Sequence, residues 1–552
     1  MSLDFLEKTQ GFRELIEDIR LDPKRLSVSG LAEPAIPYFL VCLGHSLRRP
    51  IVYVQPQSRP LSRLEEQCRF FLTQFSEPAD ALTLPALTDN PYEEIFPSLD
   101  AISSRMTVLF RLRRRPPALL LTNLPGLLKP VPLPADLENA FLDLGPGQRV
   151  ERDRLLETLA EFGYGREDLV ASPGEFAWRG GIVDVFSPWN SYPYRLEFSG
   201  EEIVSTREFD PSTQRSLARL ARLQVPSLRE FPADPAFLED WGRLAAARGG
   251  PAAADLRRKV ESLQAGEVFP SHFYLALAHR DRFVPLFRYL TNALFVLAGP
   301  EEVDAEWEEA KEGWRKQEKT LEEQKLFCLP VEEIFPEAPW EEASKEALRL
   351  GTLLPQGEGR AIHLPFQPVP RFDNKIPFFI QYMKKLQRAR DRAYVFLSNA
   401  TVRQKVAGLL AQNKVQAREE ISPFASPRSG EVLLLLGNLE QGFSYGPEKI
   451  AYFSERDIFT EEKVLVSRAS RKPYVSHFQD LKANDFVVHA DYGIGIFRGL
   501  VKLSVDGKNR EFIEIAYRDD DRLFVPVEDL NLVQKYSHVG ATPPPLDKLG
   551  TL

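Results

Sequence analysis

Gly174-Glu175-Phe176-Ala177-Trp178-Arg179-Gly180-Gly181-Ile182-Val183-Asp184-Val185-Phe186 alternates apolar and polar residues, and Tyr194-Arg195-Leu196-Glu197-Phe198 repeats the pattern after Ser187-Pro188-Trp189-Asn190. A period of two puts every second side chain on one face, which is the mark of a half-buried strand. Prolines and glycines break the pattern into short pieces, as hairpins require. The span from about 131 to 225 is therefore predicted to be a β-rich module.

The texture differs on either side. From 1 to about 130, helical apolar patterns alternate with short buried runs such as Pro50-Ile51-Val52-Tyr53-Val54 and Ala118-Leu119-Leu120-Leu121, the rhythm of an α/β unit with a parallel sheet. From 226 to 330 the chain turns helical, and Val303, Trp307, Ala310, Trp314 and Leu321 keep one apolar stripe on a charged helix expected to dock on the first module. Leu364-Pro365-Phe366-Gln367-Pro368-Val369-Pro370 is stiffened by proline and suits a boundary. Beyond it, Tyr394–Ser398, a helix from about Thr401, Val432–Leu436 and Ile450–Phe453 make a second small α/β unit over 366–456. A polar connector covers 457–481.

The last module, 482–552, is strand-rich: Phe486–His489, Ile494–Leu503, Glu511–Tyr517 and Leu523–Val527, with Asp506-Gly507 as a hairpin turn. Alternation sets Ile513, Ile515 and Tyr517 on one face, and the short strands predict a small barrel of the SH3 or Tudor kind. The fold class read from the whole is multi-domain α/β and α+β. A chain of 552 residues with 43% hydrophobic and 27% charged side chains has material for several cores, roughly three to five domains.

Chemical motifs are scarce. A P-loop needs glycines that turn backbone N–H groups onto phosphate, then Lys and Ser or Thr, and no GxxxxGK[ST] string exists here. Gly30, after Leu26-Ser27-Val28-Ser29, stands where a helicase-like fold would carry that loop, but the lysine is missing. Gly493-Ile494-Gly495-Ile496-Phe497-Arg498-Gly499 has the wrong spacing for a dinucleotide fingerprint and opens a strand. Adjacent carboxylates such as Glu93-Glu94 and Glu201-Glu202 are ordinary surface pairs without a convergent pocket. Cys42, Cys68 and Cys328 form no CxxC, and the seven histidines are scattered, so no zinc site is expected. The sequence thus points to no catalytic residue, no metal and no cofactor in this chain.

A net charge of −9 opposes nonspecific coating of nucleic acid and favours protein partners. The densest basic run, Arg111 with Arg113, Arg114 and Arg115, reads as a solvated helix end. The start, MSLDFLEKTQ, has no secretory pattern and no apolar run approaches a membrane span, so a reducing cytoplasm fits.

Three blocks carry a family resemblance: Asn90-Pro91-Tyr92-Glu93-Glu94-Ile95-Phe96-Pro97-Ser98 leading to Ile102-Ser103-Ser104-Arg105; residues 174–186 with Pro193–Phe198 and Arg207-Glu208-Phe209-Asp210; and Val487-Val488-His489, Tyr492-Gly493-Ile494-Gly495 and Leu523–Val527. In this order they resemble the transcription-repair coupling factors of bacteria. The resemblance implies a UvrB-like first module, a degenerate helicase domain completed by the helical 226–330, and a second module that binds the excision-repair protein UvrA. It implies a CarD-like last module that grips the β subunit of RNA polymerase, and an ATP-driven DNA translocase beyond it. That motor, with its ATP and Mg, would lie outside this chain, which is then a monomeric adaptor fragment rather than an enzyme, touching DNA mainly through the missing part.

The family positions for UvrA fall on Arg179 and Arg195, whose guanidinium forks suit carboxylates on a partner; the alternative is that both pair within the β surface. Where the family pattern carries a second aromatic, Ser199 stands, which removes an anchor. For polymerase, the resemblance implies strand addition at a sheet edge, and Leu503 with Val501 and Ser504 is the candidate edge, with Leu503 as plain core the alternative. Competing functions are a UvrB-like ATPase and a nucleic-acid-binding polymerase regulator.

Overall fold

The computed structural model describes residues 5–21, 26–73, 80–93, 95–114, 116–231, 237, 239, 243, 250–264, 272–351, 360–420, 427–459, 485–489, 493–505, 508–518, 521–526 and 533–535. The Asp506-Gly507 turn, Glu94, Arg115 and nearly all of the predicted 457–481 connector lie outside them.

Seven parallel strands form the first sheet, in the order Arg360–His363, Leu26–Ser29, Leu348–Leu350, Leu294–Ala298, Ile51–Val54, Leu119–Thr122 and Ala81–Leu84. Leu26–Ser29, Ile51–Val54 and Leu119–Thr122 are buried throughout, as a parallel strand covered on both faces must be; Ile51–Val54 and Leu119–Leu121 accordingly read as unbroken apolar runs, while Leu26-Ser27-Val28-Ser29 buries two serines. Helix Leu99–Leu112 starts at Ser98, whose hydroxyl accepts from the Ala101 N–H at 3.1 Å. The β-rich segment enters after Leu119–Thr122 and returns before Leu294–Ala298, so it is an insertion into this sheet.

Helix Pro300–Glu323 buries Val303, Trp307 and Trp314 of the predicted stripe, leaves Ala310 and Leu321 half-buried, and buries Lys311, which was not part of it. Trp307 and Trp314 meet Phe335 edge-on and face-on respectively. The helix docks on the first sheet as expected: Glu306 accepts from the Gln57 N–H at 2.6 Å, just past Ile51–Val54.

A second sheet orders Ser216–Arg219, Glu202–Phe209, Tyr194–Ser199, Ile182–Val185, Glu175–Arg179 and Gly165–Arg166. One face, with Phe176, Val183, Val185, Tyr194 and Leu196, joins the core that also holds Val52, Leu82 and Met106.

The third sheet is mixed: Phe366–Pro368, Phe443–Tyr445, Ile450–Ser454, Arg392–Leu397, Val432–Leu436 and Ala417–Glu419. Its Tyr394, Phe396, Leu433 and Tyr452 share a core with Tyr38, Phe39 and Phe71 of the first module. Its other face, with Val395, Leu434 and Phe453, lies beneath helices Ile376–Ala389 and Ala400–Gln412 through Phe379, Met383, Val406 and Leu410. The proline-rich 364–370 passage carries the chain from one sheet to the other, tied by Leu364 N–H to Ser29 O and Phe366 N–H to Gly30 O, both 2.9 Å.

The last sheet is antiparallel: Arg522–Pro526, Lys508–Ala516, Gly493–Val505, Phe486–His489 and Val533–Lys535. Ile513, Ile515 and Tyr517 are buried together with Val487, Phe497 and Val525. The outer strands do not pair with one another among the described residues, so the sheet there is open, and the expected barrel closure would run through segments outside them.

Candidate protein-interaction surfaces

The outward face of the six-stranded sheet holds the residues singled out for UvrA. Cross-strand register places Ala177, Asp184, Arg195, Arg207 and Arg219 in one row. Arg179, Ile182, Glu197 and Ser205 form the next. Arg195 is engaged within the sheet. Its Nε and Nη2 donate to the two Asp184 carboxylate oxygens at 2.7 and 2.8 Å, Nη2 also reaches Gln214 Oε1 at 2.9 Å, and the guanidinium lies 4.2 Å from the Phe209 ring centroid. The hydrogen bond to Asp184 raises the Arg195 pKa. Arg207 pairs with Glu197 at 2.6 Å.

Arg179 is exposed and has no ion-pair partner among the described residues. It ends its strand opposite Ile182, beside the Gly180-Gly181 turn. Ser199 ends the next hairpin beside Gly200, and the Phe198 N–H donates to Gly181 O at 2.7 Å, so both tips lie at one end of the sheet. Arg179 and Ser199 thus lie at the same end of the sheet, on strands separated by Ile182–Val185, while Arg195 stands one row further in than Arg179 and is spoken for.

Sequence reasoning missed the edge strand Ser216–Arg219, every residue of which is exposed, and the exposed apolar side chains Ile182, Val204 (50%) and Leu217 (52%) on the same sheet. The only signal for them was an apolar residue in a polar context, which a single sequence seldom marks as surface.

In the last sheet, Gly493–Val505 pairs with Lys508–Ala516 from Ile496 to Val505, but with Phe486–His489 only from Gly493 to Ile496. From Leu500 onward its other flank faces no strand among the described residues, and the backbone N–H and C=O groups of such a flank are those that strand pairing uses. Val501 is half-buried opposite Phe512, and Leu500 is exposed. Leu503 and Ser504 pair in backbone register with Arg510 and Asn509; their side chains lie outside the described residues.

Two further features bear on function. The turn after Leu26–Ser29, which leads through Glu33–Ala35 into helix Ile36–Leu47, is covered by the chain itself. His363 Nδ1 lies 3.1 Å from Ser29 Oγ, and a Cβ on Gly30 (φ +76°) would collide with the His363 ring and with Leu364 O. The second is a buried charge cluster, also missed from sequence. Arg105 donates through Nε and Nη2 to both carboxylate oxygens of Glu230, and Lys129 Nζ reaches Glu230 Oε2 at 2.8 Å. Arg105 Nη1 donates to Pro85 O and Gly126 O at 2.9 and 3.2 Å. Burial alone would push the Glu230 carboxyl up, but the two cations hold it down to about 2. Burial lowers the Lys129 pKa, with Arg105 adding to the fall and Glu230 opposing it. The cluster bolts the end of the β-rich insertion to helix Leu99–Leu112 of the first module.

Among the described residues no group of three or more His, Cys, Asp or Glu is placed to hold a metal, and no helix is long and apolar enough to cross a membrane. The basic run does end helix Leu99–Leu112, with Arg114 exposed, but Arg111 pairs with Asp80 and Arg113 lies 4.8 Å over both the Phe110 and Phe141 rings.

Family models of a UvrB interaction domain and of a CarD-like/TRCF RID domain match residues 142–231 and 481–537, the spans of the β-rich insertion and of the last sheet. Its full length is similar to transcription-repair-coupling factors. That of Myxococcus xanthus is 29% identical over 98% of this chain and 48% of its own length. The Escherichia coli (strain K12) protein is 28% identical over 91% and 44%, and the Bacillus subtilis (strain 168) protein 24% over 99% and 48%. The chain is a relative of these factors and spans about half the length of the curated relatives it matches. A solved chain described as XPD helicase aligns over 78% of this chain and 80% of its own at 10% identity with a TM-score of 0.21, too loose a match to bear on the fold.

Proposed function

We propose that this chain is the adaptor portion of a transcription-repair coupling factor. Its last β module binds the β subunit of stalled RNA polymerase, and its six-stranded sheet recruits UvrA for nucleotide excision repair. The observation that carries this reading is the presence, in one chain and in the family's order, of a UvrB interaction domain and a CarD-like/TRCF RID domain. The open flank of Gly493–Val505 supports strand addition by polymerase, with Val501, Leu503 and Ser504 along it. The last sheet closes into an SH3- or Tudor-like barrel in this reading. Arg179, with Ser199 at the same end of the sheet, faces UvrA, and Arg195 supports them from within.

The first module is then a helicase-like domain without a nucleotide site. The coverage of the Gly30 turn by His363 and Leu364 supports that over an ATPase. ATP and Mg belong to a motor outside this chain, and the adaptor works in the cytoplasm as a monomer. The test is binding of purified polymerase β fragment and of UvrA to the chain. Leu503→Arg is expected to weaken polymerase binding at least about tenfold, because a charge on a pairing edge costs desolvation, while leaving UvrA binding intact. Unchanged polymerase affinity overturns the edge assignment, and failure of the unaltered chain to bind either partner overturns the adaptor.

A further inference from the structure

The module over 366–456 has no role in that reading, yet its charge runs against that of the chain as a whole. The whole chain is acidic, with 79 Asp and Glu against 70 Lys and Arg. Between Arg371 and Arg418, however, stand eleven Lys or Arg and only two acidic residues, Asp373 and Asp391. Neither helix of this segment, Ile376–Ala389 or Ala400–Gln412, contains a single Asp or Glu.

Both helices cover the same face of the mixed sheet, through Phe379, Met383, Val406 and Leu410. The opposite face is taken up by the core shared with the first module. The outward surface of the helices is therefore the side turned away from the rest of the fold. On the first helix, Gln381, Lys384, Lys385 and Arg388 recur at spacings of three and four, which makes one stripe. Lys375 precedes it, and Lys405 stands on the second helix, both exposed. None of Lys375, Lys384, Lys385, Arg388 and Lys405 has an ion-pair partner among the described residues, unlike Arg392 and Arg403, which pair with Glu448 and Glu419.

Five cations without an ion pair, of which Lys385 and Lys405 lie over the Tyr382 and Phe459 rings, stand on helices that carry no carboxylate, and in an acidic chain they mark an anionic partner. We propose that this face binds the phosphate backbone of duplex DNA. A double helix presents one negative charge per about 1.7 Å of its axis, which a stripe of cations on a helix roughly 21 Å long can follow over several phosphates. Single strands are held by repeated aromatic platforms, and the stripe offers one exposed ring, Phe378. The contact is sequence-independent, since nothing here is shaped to read a base edge. It does not depend on the assignment of either protein partner.

The test is fluorescence anisotropy of a labelled duplex titrated with the full chain over a series of salt concentrations, beside the variant Lys384→Gln/Lys385→Gln/Arg388→Gln. Three lost phosphate contacts should lower the slope of log affinity against log salt by about 2.7 and weaken binding roughly tenfold at low salt, with the melting temperature unchanged because Lys385 and Arg388 are exposed and Lys384 is half-buried without an ion pair. An unchanged slope overturns the proposal, as does a chain that binds no duplex. Equal displacement of the duplex by polyglutamate or by single-stranded DNA also overturns it, because the face would then be a general polyanion site.

Discussion

Arg105 and Glu230 lie 125 residues apart in sequence, yet the guanidinium of one grips both carboxylate oxygens of the other with neither side chain reaching solvent. Lys129 completes the cluster, giving two cations to one anion inside the protein. Arg105 closes the Ile102-Ser103-Ser104-Arg105 block, so a stretch that carries the family resemblance also works as an internal fastening.

Removing the anion leaves two buried cations without compensation. Glu230→Gln should destabilise the fold by about 3–5 kcal/mol, read as a lowered midpoint in chemical denaturation. A loss below about 1 kcal/mol would show that water reaches the cluster.

Glu230 also sets an acid limit. Its carboxyl is held at about 2 in the folded chain against an ordinary value of 4.5. A depressed folded pKa gives stability that is present above the unfolded value and is lost as pH falls through the folded one. Stability should therefore drop by about 3 kcal/mol between pH 4.5 and 2 from this group alone. Glu230→Gln should flatten that part of the profile, and an identical acid limb in both proteins would refute the assignment.

The two arginines expected at the UvrA surface should separate by experiment. Arg195→Met strands the nearly buried Asp184 and should cost about 1–3 kcal/mol in stability. Arg179→Glu should leave the melting temperature alone and weaken UvrA binding. If Arg179→Glu binds UvrA normally while Arg195→Met remains stable but fails to bind, the roles are reversed.

Gly495 sits where the last sheet is tightest, since a Cβ there would come within 2.5 Å of Ile515 Cγ2 and 3.0 Å of Ala516 O. Gly495→Ala should destabilise this module by about 1–3 kcal/mol. Hydrogen exchange should show faster exchange across Phe512–Ala516, and unchanged protection would contradict the packing.

Much of this was legible locally. Unbroken apolar runs marked Ile51–Val54 and Leu119–Thr122 as covered parallel strands, and alternation put Ile513, Ile515 and Tyr517 inside. What stayed hidden needed partners far along the chain. Leu348–Leu350 and Arg360–His363 flank Leu26–Ser29 across more than three hundred residues, and no local pattern carries parallel register. Asp184 and Arg195 were both visible, but only the pairing of their strands shows that they face each other. The basic helical face was masked by the acidity of the whole, because net charge averages over surfaces that never meet.

The aromatic core in which Tyr38 and Phe71 meet Phe443 and Tyr452 has a mechanical consequence. A load applied at Ile450–Ser454 meets interlocked rings before it meets any loop, and it passes into the seven-stranded sheet with little slack. Pulled from either side, these two sheets would behave as a single stiff handle.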